Sequence, residues 1–317
     1  MAMAEARAFR FGAGVTGAGS RAEWVTLARR IEELGYAVLL VPDHFDELFP
    51  PSVALMAAAD ATPRLRIGSY VYDNDFRHPA LLAKETATLD LLSDGRLEFG
   101  IGAGWNLADY EQTGLPFESA GLRIERLAEA ITIIRQFFTQ ESVTFAGKHY
   151  QVTGLRSMPT PVQRPHPPIF IGGGGKRLLT LAGREADIVG LHFKVNADNT
   201  VDAEERLESA LARKIAWVRE AAGARFAAIE LNLLLSGVIV TDDRQQAAEA
   251  RARELQAGGS TVTADVLLQS PYWLIGSVDE MVDRLMQLRV THGISYIVAR
   301  EDAFEAFAPV VARLAGK

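Results

Sequence analysis

His44 follows the apolar run AVLLVPD, next to Asp43, and an imidazole at the end of a buried strand is suited to proton transfer. Four consecutive glycines, Gly172 to Gly175, separate the run PPIFI from the amphipathic stretch KRLLTLAGREA. Glycines followed by a helix let backbone N–H groups approach an anion, and Lys176 and Arg177 add charge. A phosphate is the expected guest; a tight strand-to-helix turn is the alternative use of these glycines. GIGAGWN, residues 100–106, is a second glycine cluster. Its small residues either leave room for a flat ring, with Trp105 and Asn106 in or beside that room, or allow close strand–helix packing. In GSYVYDND, Asp73, Asn74 and Asp75 favour a turn, and Asn74 is also able to bond a ring edge. His192 follows another apolar run in a position equivalent to that of His44. The other histidines read as loop or helix-end residues. No His-rich ligand spacing occurs, so no metal site is expected.

These groups need elements to hold them, and the chain alternates accordingly. Short apolar runs at 9–15, 37–43, 64–72, 96–104, 169–174, 187–193, within 228–240 and at 294–299 read as strands. Helical periodicities follow them, among them 51–61, 78–93, 119–139 and 201–222. Ser20 and Glu23 have the spacing of a capping box, and Gly35 ends the helix they open. Near-continuous apolar strands imply a sheet buried on both faces, and strict alternation implies parallel pairing. Eight units match a (β/α)8 TIM barrel, with an open doubly wound sheet as the alternative. In such a barrel the residues after each strand line the mouth, where all the groups named above fall. We expect one domain over 1–317, with loop insertions at about 142–168, a hairpin and a proline-rich segment, and at 257–276.

Composition limits the function classes. With 33 basic and 40 acidic residues the net charge is −7, which gives no support to nucleic-acid binding. The chain has no cysteine, which removes disulfides and Cys-ligated metal. No apolar run of about 18 residues is present, and the start lacks a signal-like apolar core, so the expectation is a cytoplasmic protein without a membrane role.

Three stretches carry a resemblance: LLSDGRLEFGIGAGWNLADYEQTG, then PTPVQRPHPPIFIGGGGKRLLTLAGREADIV, and finally SPYWLIGSVDEMVDRL followed by ISYIVAR. Together they resemble the bacterial luciferase-like monooxygenase superfamily, most of all its branch that uses the deazaflavin coenzyme F420. The resemblance implies a barrel with insertions, a homodimer, a small-molecule substrate and a cofactor ring over the ends of strands 2 to 4. It implies a non-proline cis peptide at Tyr70–Val71, the cofactor phosphate on Gly173 to Lys176, and His44 as the active-site histidine. The expected cofactor contacts are Asp43, Tyr70, Val71, Asn74, Gly102, Ala103, Gly104, Gly172, Gly173, Gly174, Gly175 and Lys176. Trp105 and His192 are expected in the substrate pocket. A family member that oxidises a sugar phosphate carries a glutamate where this chain has Trp105, so neither that acid nor that substrate carries over. The implied activity is hydride transfer between the deazaflavin and an organic substrate. An FMN-dependent monooxygenase is the alternative, and a non-catalytic flavin-binding protein the second. A basic lip at Lys176, Arg177 and Lys194 would suit the acidic tail of F420.

Overall fold

The computed structural model describes residues 7–46, 49–196 and 200–317. Eight parallel strands form its centre: β1 Arg10–Gly14, β2 Val38–Val41, β3 Arg66–Ser69, β4 Leu97–Gly102, β5 Ile169–Gly173, β6 Ile188–Leu191, β7 Glu230–Leu234 and β8 Ile294–Arg300. They pair in chain order, β8 returns to β1, and the pairs Ile67–Leu97 and Gly68–Glu98 join β3 to β4. The sheet is therefore a closed barrel, not an open one. The helices are α1 Arg21–Glu33, α2 Pro51–Ala61, α3 Pro79–Leu92, α4 Leu107–Thr113, α5 Ala120–Thr139 and α6 Lys176–Glu185. They continue with α7 Glu208–Ala222, α8 Arg244–Ala257, α9 Ala264–Gln269, α10 Val278–His292 and α11 Phe304–Leu314.

Local chemistry sets the element ends. Every residue of β2, β4 and β6 is buried, as a strand between barrel interior and helix layer requires. At α1, the Glu23 N–H donates to Ser20 Oγ, but the Glu23 carboxylate accepts from Gly19 rather than from Ser20. The expected capping box is thus displaced by one residue. Pro79 opens α3, where its missing N–H costs nothing, and His78 Nδ1 accepts from Ala80.

The barrel interior is layered. At the ends where the strands begin, Arg10, Arg66, Glu98 and Glu230 form a charged plug, with the Arg10 guanidinium 3.8 Å from the Tyr296 ring centre. Above it lies an apolar layer of Val38, Leu40, Phe170, Ile188 and Val298. One end is closed in this way, and ligands have the other.

The first insertion contains the expected hairpin, with strands Ser142–Ala146 and Gln151–Arg156. The Glu129 carboxylate of α5 holds its tip by accepting the N–H groups of Lys148, His149 and Tyr150. The second differs from expectation. Residues 257–276 are not a plain loop: they hold α9 and a strand, Trp273–Gly276, parallel to Gly237–Val240. The apolar run at 228–240 therefore splits. Its first half is β7 and its second half leaves the barrel to pair outside it. Gly237 permits this, because a Cβ there would lie 2.2 Å from the Trp273 ring. The helix expected at 201–222 also divides, into a 3₁₀ turn Ala203–Arg206 and α7.

Candidate active site

His44 stands just past β2, its side chain 24% exposed, and donates from Nδ1 to Asp109 Oδ2 at 2.6 Å. The other Asp109 oxygen accepts the Phe45 N–H at 3.1 Å. Asp109 comes from α4, the short helix inside WNLADYEQTG. Asn106 caps that helix by accepting from Ala108, and Gly114 ends it at φ +73°. Trp105 lies edge-on to the imidazole at 5.6 Å between ring centres and is 52% exposed, so it walls the mouth on one side. The residue types of an imidazole–carboxylate dyad are thus brought together from β2 and α4.

Behind the dyad is a buried acidic group. Asp43 is chelated by Arg77 and accepts the Asp73 N–H. Both its oxygens are thereby engaged, which makes it a brace between strand ends rather than a free contact for a ligand. Asp75 is paired with Arg126. Among the described residues Asp73 has no ion-pair partner; it accepts from Tyr110 Oη at 3.0 Å and from the Asp75 N–H at 2.9 Å. Burial pushes the Asp73 carboxyl up to about 7, with the neighbouring Asp75 and Asp43 acting in the same direction. Gly104, at φ +73°, makes room for this arrangement: a Cβ there would sit 2.0 Å from Tyr110 Oη and 2.4 Å from Asp73 Oδ2.

The peptide Tyr70–Val71 is cis. Tyr70 donates to Asn232 Oδ1 at 2.7 Å across the barrel and tilts against Phe170, while burial raises its phenol above the ordinary range. Val71 faces the glycines of β4 and β5: a Cβ at Gly102 would lie 2.8 Å from it, and one at Gly172 3.9 Å. Ala103 is buried, and its carbonyl accepts from Arg123. Asn74 is 1% exposed and donates from Nδ2 to Tyr150 of the hairpin, but among the described residues its Oδ1 has no partner. A buried amide oxygen without a donor is costly, and an incoming N–H would satisfy it.

The four glycines divide into two kinds. None has a positive φ. A Cβ on Gly174 would lie 2.1 Å from the Phe193 carbonyl oxygen, and one on Gly173 would lie 2.4 Å from the Leu178 side chain. At 174 the backbone of Phe193 and Lys194 requires a glycine, whereas at 173 the crowding comes from the end of a half-buried side chain that is able to turn away. Gly175 caps α6 at φ −86° with nothing within 4 Å of where its Cβ would be, and Gly172 has only side-chain neighbours, the nearer at 3.3 Å. Those two leave the start of α6 open to a ligand. This gives a contrast. Gly174→Ala is expected to lower stability by about 1–3 kcal/mol through overpacking against backbone. Gly175→Ala is expected to change it by less than about 1 kcal/mol while weakening binding of a phosphate-bearing cofactor. Thermal melts and cofactor titration of the two variants check both.

Among the described residues Lys176 and Lys194 are exposed and carry no ion pair, whereas Arg177 is paired with Glu125. The lip is therefore basic at two of the three expected positions. His192 sits past β6, packed against Phe193 and Tyr272. Burial, with Arg300, Lys214 and Arg206 nearby, pushes its imidazole down to about 4. The mouth thus gathers His44, Trp105, Val71, Asn74, the open glycines and His192 at the strand ends, with Asp43 held behind them. Sequence reasoning missed Asp109, Tyr110, Arg77 and Tyr150. Asp109 had a signal: it is three residues past an Asn suited to capping, which puts it in the first turn of a helix starting beside the mouth.

The residues present fit a flavin-type cofactor. The orphan Asn74 acceptor suits a ring N–H, and the unfilled space at Gly172 and Gly175 suits a phosphate at a helix N-terminus. Among the described residues no cluster of three or more metal-ligating side chains occurs, and no helix is long and apolar enough to cross a membrane. A separate groove of about 680 Å³ lies outside the barrel between α7, α9 and α10. Its Glu208 is occupied by Arg284 and His292.

The chain is 34% identical over 171 residues to an F420-dependent glucose-6-phosphate dehydrogenase of Amycolatopsis mediterranei (strain U-32), covering 51% of each protein. It is 32% identical over 145 residues to an FMNH(2)-dependent dimethylsulfone monooxygenase of Pseudomonas putida, covering 46% of this chain and 39% of that one. The chain thus spans about half the length of the curated relatives it matches. Among solved structures, the coenzyme F420 dependent tetrahydromethanopterin reductase from Methanopyrus kandleri superposes with a TM-score of 0.79 at 18% identity, over 98% of this chain and 99% of that one, a likeness of fold. The family model for luciferase-like monooxygenases matches residues 6–278, which include β1 to β7 and every mouth residue named above except Arg300. By that match and by its closed barrel, the chain belongs to the luciferase-like monooxygenase family.

Proposed function

We propose that the chain is an F420-dependent oxidoreductase that moves a hydride between the cofactor and a small organic substrate. The observation that carries this reading is the composition of the mouth. An imidazole–carboxylate dyad shares it with a buried acceptor lacking a donor and a glycine corner open at a helix N-terminus. Relatives of both cofactor types match the chain. F420 is favoured by Lys176 and Lys194, two cations beside the corner that are unpaired among the described residues, the second adjoining it through its backbone at Gly174. Cations there suit an acidic cofactor tail. FMN is the second reading, supported by Glu125, which neutralises Arg177 on the same lip.

Gly172, Gly175 and the first N–H groups of α6 would hold the phosphate, and Val71 and Asn74 the ring. When bound, the deazaflavin supplies a two-electron hydride acceptor or donor. The chain supplies the proton path and the orientation. A carboxylate only accepts, so Asp109 keeps the proton of His44 on Nδ1 and leaves Nε2 to take the substrate's hydroxyl proton, or to return it in the reverse direction. Trp105 shields this exchange on one side. The homodimer expected from the resemblance remains part of the proposal.

Equilibrium titration of the purified chain with F420 and with FMN tests the reading. We expect micromolar F420 binding and much weaker FMN binding. The opposite order would overturn the choice of cofactor, and binding of neither would overturn the function.

A further inference from the structure

The cofactor residues occupy the ends of β2 to β5. The other half of the mouth, at the ends of β6 to β8, contains charge that the proposed reaction does not use. In the closed strand order β6 lies four strands from β2, so His192 stands across the mouth from His44.

Around His192 the cations outnumber their partners. Lys214, fully buried, pairs with Glu205 at 2.6 Å. The same carboxylate serves Arg213 at 3.1 Å and the Lys194 N–H at 3.0 Å. One anion is thus shared by two side-chain cations. Arg206, half-buried on the 3₁₀ turn, has its guanidinium 5.0 Å from the Phe193 ring centre and no carboxylate within ion-pair distance among the described residues. Arg300, which ends β8 and is exposed, likewise has none. The neighbouring Glu301 carboxylate is engaged by the N–H and hydroxyl of Thr16. Tyr272, fully buried, packs on Phe193 at 4.4 Å, and its hydroxyl has no hydrogen-bond partner among the described residues. A half-buried guanidinium without an anion and a buried hydroxyl without a partner are both unfavourable alone, and one ligand with several oxygen acceptors would satisfy both.

We propose that the β6–β8 half of the mouth is an oxyanion subsite, in which Arg206 and Arg300, with Tyr272 and His192 beside them, seat a carboxylate or phosphate group of the substrate. The inference rests on the oxidoreductase reading for the word substrate; the anion site itself does not. His192, neutral at pH 7, offers a ring N–H to the same group. The substrate's reacting carbon then lies between this anchor and His44, and the anchor fixes its orientation.

The test uses the full chain without cofactor, labelled with ¹⁵N-histidine, and follows the His192 ring signal, assigned by its loss in His192→Gln. Inorganic phosphate and acetate are the probes. An anion beside Arg206 and Arg300 offsets the charges that disfavour protonation, so the His192 signal is expected to shift saturably and its pKa to rise. Arg206→Gln combined with Arg300→Gln is expected to weaken that response by about tenfold or more. Arg206→Lys is expected to retain part of it, and Lys148→Gln, a surface control, all of it. Phosphate can also occupy the corner at Gly175, so Gly175→Ala separates the sites: it leaves the His192 response intact. A response to phosphate alone identifies a phosphate ester as the substrate class, and a response to both probes identifies carboxylates as well. A non-saturable shift, or an equal one in the double variant with an unchanged melting curve, would overturn the subsite. If neither F420 nor FMN binds but this response is present, the enzymatic reading fails and the anion site stands. The reverse result removes only the subsite.

Discussion

His44→Ala is expected to lower the rate of hydride transfer by about 10²–10⁴-fold, the usual contribution of a positioned acid–base group. Cofactor affinity should stay within about twofold, because the cofactor is read as held by the glycine corner, Val71 and Asn74, none of which depends on the imidazole. Rapid mixing of the loaded enzyme with substrate measures the first quantity and equilibrium titration the second. Asp109→Asn gives the companion result. An amide can replace only part of what the carboxylate does, since Asp109 accepts from both His44 Nδ1 and the Phe45 N–H. With the amide nitrogen turned to the ring, Nδ1 must become an acceptor, and the proton moves to Nε2. The expected loss is smaller than for His44→Ala and comes with a displaced pH–rate profile. A merely structural role for Asp109 would lower the melting temperature and leave the profile in place. Unchanged turnover in His44→Ala would remove the assigned role altogether.

The barrel was legible because its strands are buried on both faces, which leaves the same mark on each: a run such as AVLLV or LEFGIG bounded by glycine, proline or charge. Pro51–Ala61 was legible to the residue, since Pro50–Pro51 and Thr62–Pro63 bracket it. The mouth was half legible. Positions immediately after strands were found because their place in the chain gives their place in the barrel. Asp109 and Arg77 were missed because their roles depend on where a helix or turn folds back. Nothing in a one-dimensional pattern brings position 109 to position 44. Residues 257–276 were misread as a loop, and for a related reason. The strand Trp273–Gly276 finds its partner outside the barrel, at Gly237–Val240, and that pairing has no local signature. The glycines show the limit most clearly. Their number pointed to one purpose, yet Gly174 is needed by neighbouring backbone, while Gly172 and Gly175 leave space that the protein does not fill.

Glu98→Gln is expected to lower unfolding free energy by about 3 kcal/mol, at the lower end for breaking a buried ion pair because its partners are partly solvated. Glu98 is the hub of the barrel plug: it pairs with Arg10, accepts from Arg66 Nε at 3.0 Å and accepts from Tyr296 Oη at 3.2 Å. Its side chain is 3% exposed, against 23% for Arg10 and 29% for Arg66. Two arginines and two glutamates make the plug neutral, so the amide leaves one uncompensated positive charge at the closed end. Arg10 keeps Glu230, at 2.7 Å, but Arg66 is left with carbonyl groups and Gln163. Burial alone would raise the Glu98 carboxyl; the Arg10 and Arg66 guanidinium groups outweigh it and hold the group below its usual value of 4.5. A depressed folded pKa means that the carboxylate's stabilisation is complete above that usual value and is lost as pH falls through the folded one. The difference between wild type and Glu98→Gln should therefore be constant from about pH 6 to 8 and shrink below about pH 4.5, where the protonated acid comes to resemble the amide. Urea unfolding at pH 7 and pH 4 measures both, through the midpoint at constant slope. Cofactor titration should be unaffected at pH 7, because the plug and the mouth lie at opposite ends of the strands. A variant as stable as wild type at pH 7, or a gap that widens on acidification, would show that the plug's charges do not hold the closed end.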